Sequence, residues 1–299
     1  MNQPAIRLIP VATNAGLVGM PLSVRLHFGR AAVQTIANRS GIDLLHIKGD
    51  AVDPSVRPFA SAGSDVDVMV RPDQVDTFDG VLRQNEWRIY STFELGSPFG
   101  HAQTYHHPLW GYLDVHRLFP GINLPPADAF ARLWEERSSL EFAGVSCPVP
   151  STAAQAAILV LNAARAGAGE SRDVRRLWTD ASSDQLALLE AEIDALDARL
   201  ACDAALGGLE SHKGEREYAL WRAVSQGGTR GEEWWGRLLA QPTLAGRLNI
   251  IVRAPLVNAE HLGHQLGHAP SALEILREFF ARPLRGVREF AGHKRGMSR

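Results

Sequence analysis

Apolar and polar positions change their period near the middle of the chain, and the change divides it into two parts. Residues 22–38 (LSVRLHFGRAAVQTIAN) read as a helix that stops before Gly41. LLHI at 44–47 and VDVMV at 66–70 are short apolar runs of strand length, the second closed by Arg71-Pro72. Between 73 and 85, Val75, Phe78 and Leu82 recur at three- and four-residue spacing, which predicts a helix. Three β-like runs follow at 87–93, 101–107 and 110–116, set apart by Gly and Pro. The first part is therefore expected to be α+β, with a small mixed β-sheet flanked by helices.

Past CPVPST the chain turns Ala-rich and helical, and Ser151 or Thr152 is placed to cap the next helix. Residues 184–200 put Leu186, Leu189, Ile193, Leu196 and Leu200 on one helical face. Glycines at 207–208, 227–228 and 231 separate further helices. The expected division is a core over 1–148 and a helical C-terminal domain over 149–299.

Composition narrows the class. With 31 basic against 33 acidic side chains, the chain as a whole is not built to bind a polyanion. The local exception is the tail, where seven Lys or Arg from Arg277 onward face two Glu, so RNA binding and a plain solvated end both stay open there. Cys147 and Cys202 alone exclude a disulfide scaffold and a cysteine zinc cluster. No apolar stretch reaches the ~18 residues a membrane span needs, and no leader pattern is visible, so a cytoplasmic location is expected.

The candidate chemistry lies in residues 44–70. On a strand, Asp65 and Asp67 project from one face while Val66, Val68 and Val70 enter the core. Two adjacent carboxylates repel one another unless a cation lies between them. That suits a divalent metal, although an isolated Asp-x-Asp is in most proteins a solvated turn. The same repulsion predicts that Asp67→Asn leaves stability unchanged or raised. Lys48-Gly49 follows a strand and precedes a predicted helix, a place where backbone N–H groups approach phosphate. Asp114, in YLDVH, is a third carboxylate on a β-like run, and three such groups can hold two metals roughly 3.5–4 Å apart.

Together these segments resemble the polymerase-β-like nucleotidyltransferase superfamily, and more finely its poorly characterised bacterial branch. The residues that carry the resemblance are Lys48-Gly49, Arg57, Asp65-Val66-Asp67 and Asp114-Val115-His116, over about residues 20–120. The resemblance implies a nucleotidyltransferase fold and transfer of a nucleoside monophosphate from an NTP to an acceptor hydroxyl, with release of pyrophosphate. It implies Asp65, Asp67 and Asp114 as catalytic residues and as ligands of Mg²⁺ or Mn²⁺. Lys48, Gly49, Arg57, Ser64 and His116 would lie on the nucleotide. The acceptor is open among tRNA, a small molecule and a peptide or protein. Asp50 departs from the pattern, which has Ser or Gly there. A carboxylate at that position is repelled by a triphosphate, so it points away or joins the metal. It also leaves open a non-catalytic nucleotide-binding or partner-binding subunit that keeps the fold.

Other groups admit two readings. His261, His264 and His268 share a helical face and suit either zinc or a half-exposed surface. His106-His107 can face an acceptor or pack. Ser171-Arg172-Asp173 with Arg175-Arg176 can line a cleft or open a helix. Trp234-Trp235 and Phe279-Phe280 read as core or interface.

Overall fold

A computed structural model of the chain describes residues 20–59, 63–166, 171–253, 262, 266, 268, 270–279 and 281. Helix α1 (Leu22–Ser40) ends at Gly41, whose φ of 64° lets its N–H reach back to the last carbonyls. Strand β1 (Leu44–His46) leads through a one-turn 3₁₀ segment, Gly49–Ala51, into a loop and then β2 (Asp65–Val70). Helix α2 (Val75–Gln84) buries Val75, Phe78 and Leu82, the three positions its spacing marks. Strands β3 (Arg88–Ser91), β4 (Ala102–His107) and β5 (Gly111–His116) complete the sheet, with a short helix α3 (Phe93–Gly96) between β3 and β4. Fold and expectation agree here: the protein is mixed α and β, with a five-stranded mixed sheet and a helical part after it.

The strand order is β1-β2-β5-β4-β3. β5 lies parallel to β2 and pairs Asp67 with Asp114, and its other neighbour β4 is antiparallel. Period 2 then sorts the two faces. Val66, Val68, Val70, Leu113 and Val115 join one apolar cluster with α1, α2 and Trp87. Met69 lies on the opposite face with Leu45 and Ile47, in a larger cluster. Asp65, Asp67, Asp114 and His116 share that face by the same alternation.

A helix and two strands go beyond the elements expected from the sequence. Helix α4 (Pro126–Glu135) packs Phe130 and Leu133 into the larger cluster. Strands β6 (Ser138–Phe142) and β7 (Val145–Val149) form a hairpin on a two-residue turn, with Ala143 and Gly144 both at positive φ. They alternate, with Leu140, Phe142, Val145, Cys147 and Val149 turned inward, but each strand has only five residues and the second carries Pro148.

Helix α5 (Thr152–Ala163) is capped by Ser151, whose Oγ accepts from the Ala154 N–H at 3.4 Å. Short α6 (Arg172–Val174) runs into a π-helical turn, Arg175–Thr179. The helix expected over 184–200 is two helices, α7 (Ser183–Ala195) and α8 (Arg199–Leu206). Asp197 breaks it at φ 50°, and the Ala198 N–H turns back to the Ile193 carbonyl. Asp tolerates that conformation because its short polar side chain bonds locally. Leu189, Ile193, Leu196 and Leu200 are buried all the same. Helices α9 (Tyr218–Ser225), α10 (Arg230–Ala240) and α11 (Leu244–Arg253) follow. The larger apolar cluster runs across position 149, joining β1, β2 and α4 to α5, α7, α8 and Trp221. Among the described residues no helix is long and apolar enough to cross a membrane.

Candidate active site

The parallel pairing of β2 with β5 builds the site. It seats Asp67 directly beside Asp114, 47 positions apart in the chain. Asp67 is 5% exposed, and its Oδ1 receives both Lys48 Nζ at 2.6 Å and His116 Nε2 at 3.0 Å. Burial disfavours its charge, but Lys48 and the bond from His116 outweigh that and hold the carboxyl well below the usual carboxylate range. Asp114 is placed the other way. Burial, reinforced by the neighbouring Asp67 charge, pushes its carboxyl up to about 7, although Thr104 Oγ1 donates to it at 2.7 Å. Asp65, half-buried at the start of β2, is also raised, by burial first and by Asp67 second.

The carboxylate oxygens of Asp67 and Asp114 and a ring nitrogen of His116 lie within 4.8 Å of one another. Two acidic oxygens and an imidazole so close, one of them short of positive charge, form a donor set that fits a divalent cation. Asp65 borders this set without belonging to it. Among the described residues this is the one group of His, Cys, Asp or Glu so arranged.

Around the carboxylates lies a buried layer that the sequence did not mark. His116 stacks on Phe119 at 6.0 Å and meets the ring of His101 at 5.1 Å. Arg165, at the end of α5, donates to His101 Nε2 at 2.8 Å and to Asn162 Oδ1 at 2.8 Å. An acceptor Nε2 makes Nδ1 the protonated nitrogen of His101, and it points to Ser97 Oγ at 2.6 Å. Burial first, then the cations nearby, keep His101 neutral, and burial brings His116 down to about 4. On the other side of Lys48 lies Arg30 of α1, 1% exposed. None of Arg30, Arg165, His101 or Thr104 sits in a motif. The signal available was only that a polar side chain interrupts an apolar stretch.

Several expected residues lie elsewhere. Arg57 makes a two-pronged bond to Asp173, Nε to Oδ1 at 2.9 Å and Nη2 to Oδ2 at 2.8 Å. Arg176 donates to the carbonyls of Ser55 and Val56, and Arg172 lies 4.5 Å over Phe59. The 171–176 segment therefore clamps the loop 53–59, and Arg57 is held in the clamp. Gly49 opens a single 3₁₀ turn, not the helix expected after Lys48. Asp50 is exposed on it. Ser64 is exposed just before β2.

His106 and His107 pair with Tyr112 and Gly111 at the hairpin end of β4 and β5. There His107 Nδ1 accepts from the amides of Leu109 and Trp110, which makes it a turn cap. His268 lies 3.6 Å from Glu274, whereas His261, His264, Phe280 and the tail beyond 281 lie outside the described residues. Trp234 lines a cleft of about 260 Å³ with Phe93, Phe99, Arg117 and Arg237, and Trp235 is exposed.

No protein-family model matches the chain, and no curated protein matches its sequence. Solved structures do align with it. A lincosamide antibiotic adenylyltransferase with lincomycin bound is 14% identical over 55% of this chain and 93% of its own, with a TM-score of 0.33. The antibiotic-resistance factor ANT(2'')-Ia, solved in solution, is 9% identical over 65% of this chain and 95% of its own, with a TM-score of 0.35. An antigenic nucleotidyltransferase-like protein from Paracoccidioides brasiliensis is 16% identical over 62% and 94%, with a TM-score of 0.32. Likeness at this level assigns no residue a role, and the site rests on its own geometry.

Proposed function

We propose that the chain is a divalent-metal-dependent nucleotidyltransferase, moving a nucleoside monophosphate from an NTP to an acceptor hydroxyl with loss of pyrophosphate. The observation that carries this reading is the register that sets Asp67 beside Asp114 on two central strands. Asp65 stands at the edge of the pair, with Lys48 and His116 bonded to Asp67. Such a cluster of carboxylates is uncomfortable as it stands. It becomes favourable around a cation that also binds phosphate oxygens.

Asp67 and Asp114 would hold Mg²⁺ or Mn²⁺, with His116 beside Asp67 and Asp65 bordering the group. When bound, the metal supplies charge stabilisation to the attacking and leaving oxygens. The chain's own groups do the rest. Lys48 brings a point charge to the phosphates. Asp114, paired with Asp67 across the two central strands, would accept the proton of the acceptor hydroxyl as a carboxylate. His116 holds Asp67 in place, and His101 and Arg165 hold His116 from behind. Gly49 and Ser64 border the nucleotide, whereas Arg57 acts on it only through the loop it clamps. Asp50, exposed to solvent, is free to turn from a triphosphate.

The division into a core over 1–148 and a helical part over 149–299 is proposed as one of roles. The first carries the carboxylates, and the second steadies the loop beside them and offers surface to the acceptor. The acceptor stays open among a tRNA, a small molecule and a peptide or protein. Incubation with each α-labelled NTP and Mg²⁺, with total RNA or a cell extract as acceptor, tests the whole reading. Labelled product that disappears in Asp67→Asn and Asp114→Asn supports it. An active Asp67→Asn chain would remove it.

A further inference from the structure

Among the described residues Arg30 has no ion-pair partner, although it is a buried cation. Its side chain is 1% exposed, and among the described residues no carboxylate lies within ion-pair distance. Nε and Nη1 donate to no acceptor among the described residues. Nη2 donates to the Lys48 carbonyl at 3.4 Å, and the guanidinium lies 5.6 Å from the Phe142 ring centre. Burying an unpaired guanidinium is costly, so a fold that retains one gains something from it. The charges that offset it lie at longer range, on Asp67, Asp50 and Asp65, all around the proposed phosphate site.

The contact it does make falls on an unusual piece of main chain. Lys48 has φ 57° with ψ −171°, and Gly49 has φ 52°, two successive residues at positive φ. The Lys48 carbonyl accepts from Arg30 and also from the Ala51 N–H at 3.0 Å. Those two donors fix the Lys48–Gly49 peptide plane. Because the peptide is planar and trans, a carbonyl turned toward Arg30 leaves the Gly49 N–H on the opposite side, away from the buried guanidinium. Glycine is needed here twice over. A Cβ at 49 would stand 2.6 Å from Arg30 Nη2, and φ is unfavourable for any side chain. Lys48 extends from the same turn to Asp67 at 2.6 Å.

We propose that Arg30 is a positioning residue for the nucleotide's phosphates, acting through the Lys48–Gly49 turn. It holds the turn so that the Gly49 amide faces outward, and it backs the turn with positive charge that an incoming polyphosphate neutralises. The proposal rests on the nucleotidyltransferase reading and adds to it the residue that shapes the phosphate side of the site.

The test is equilibrium binding of a fluorescent ATP analogue and, separately, of inorganic triphosphate, both with Mg²⁺. Wild type is compared with Arg30→Gln, Gly49→Ala and the double variant, with thermal melting alongside. Arg30→Gln should weaken both ligands at least tenfold. Gly49→Ala should do the same, because its Cβ takes the place of Nη2. The double variant should be no weaker than the worse single one, since both break one contact.

Wild-type affinity in a folded Arg30→Gln chain overturns the proposal. If Arg30→Gln fails to fold, wild-type affinity in Gly49→Ala overturns it instead. Loss of affinity for the analogue with none for triphosphate also overturns it, because the effect would then lie on the base or sugar. A wild-type chain that binds neither ligand removes the nucleotidyltransferase reading and this proposal with it, whereas binding that ignores position 30 removes this one alone.

Discussion

Asp67 and Asp114 are chemically the same group held in opposite states. One is surrounded by donors and stays ionised; the other has one hydroxyl and a like charge beside it. A carboxyl whose folded pKa lies above its unfolded value takes up a proton on folding. Asp114 therefore contributes stability that is present below about pH 4 and is lost as pH rises toward 7. His116, lowered to about 4 mainly by burial, works in the opposite direction over the same range. The Asp114 effect is thus read as a difference. Urea midpoints between pH 4.5 and 7.5, in EDTA, should fall less with pH in Asp114→Asn than in wild type. Parallel curves would show that Asp114 ionises normally.

Asp67 carries a second expectation, and here the structure reverses the one drawn from sequence. Repulsion from Asp65 suggested that Asp67→Asn would be neutral or stabilising. Yet Asp67 is the anion that Lys48 and His116 share, so removing its charge leaves a half-buried ammonium unpaired. A loss of about 3 kcal/mol is expected, the scale of breaking a buried pair. Equal melting temperatures would show that Lys48 simply swings into solvent. The Asp-x-Asp and its valines were legible because alternation is a local property. Lys48 as its partner was not, because β1 and β2 had first to pair antiparallel. Arg30 and Arg165 were illegible for a plainer reason: an arginine in or just past an apolar helix looks the same whether it reaches solvent or a buried acceptor.

At the scale of elements, the clamp on loop 53–59 ties the helical part to the strand that carries the site. Arg57 and Asp173 are both largely buried and joined by two hydrogen bonds. Arg57→Gln and Asp173→Asn should each cost about 1–3 kcal/mol, and the double variant should cost little more than either. Nucleotide affinity should fall by the same factor in both single variants. Loss of affinity in Arg57→Gln alone would return Arg57 to direct nucleotide contact. The sequence placed Arg57 and Asp173 in separate motifs 116 residues apart, and nothing local joined them. The β6–β7 hairpin shows the same limit: its turn needs positive φ at Ala143, a residue that gives no turn signal.

For the molecule as a whole, the expected division near 149 cuts through one apolar cluster. Leu45, Ile47, Met69, Phe119 and Phe130 pack against α5, α8 and Trp221. Far-UV circular dichroism and tryptophan fluorescence should report a single coincident unfolding transition. A chain ending at residue 148 should expose that face and aggregate or unfold. Two separated transitions would show that the halves are independently stable.

Both paired carboxylates stand on inner strands, with β1 on one side and β4 on the other. A site on inner strands shares its opening events with the whole sheet. In native-state hydrogen exchange, the amides of Val66, Val68 and Val115 should open only with global unfolding, whereas the Gly49–Ala51 turn should exchange by local fluctuation. Evolution of new substrates on such a scaffold is then confined to the rim. Loop and helix residues can drift while the pair at 67 and 114 keeps its spacing, because changing that spacing means shifting the register of two strands and turning every valine of β2 out of the core.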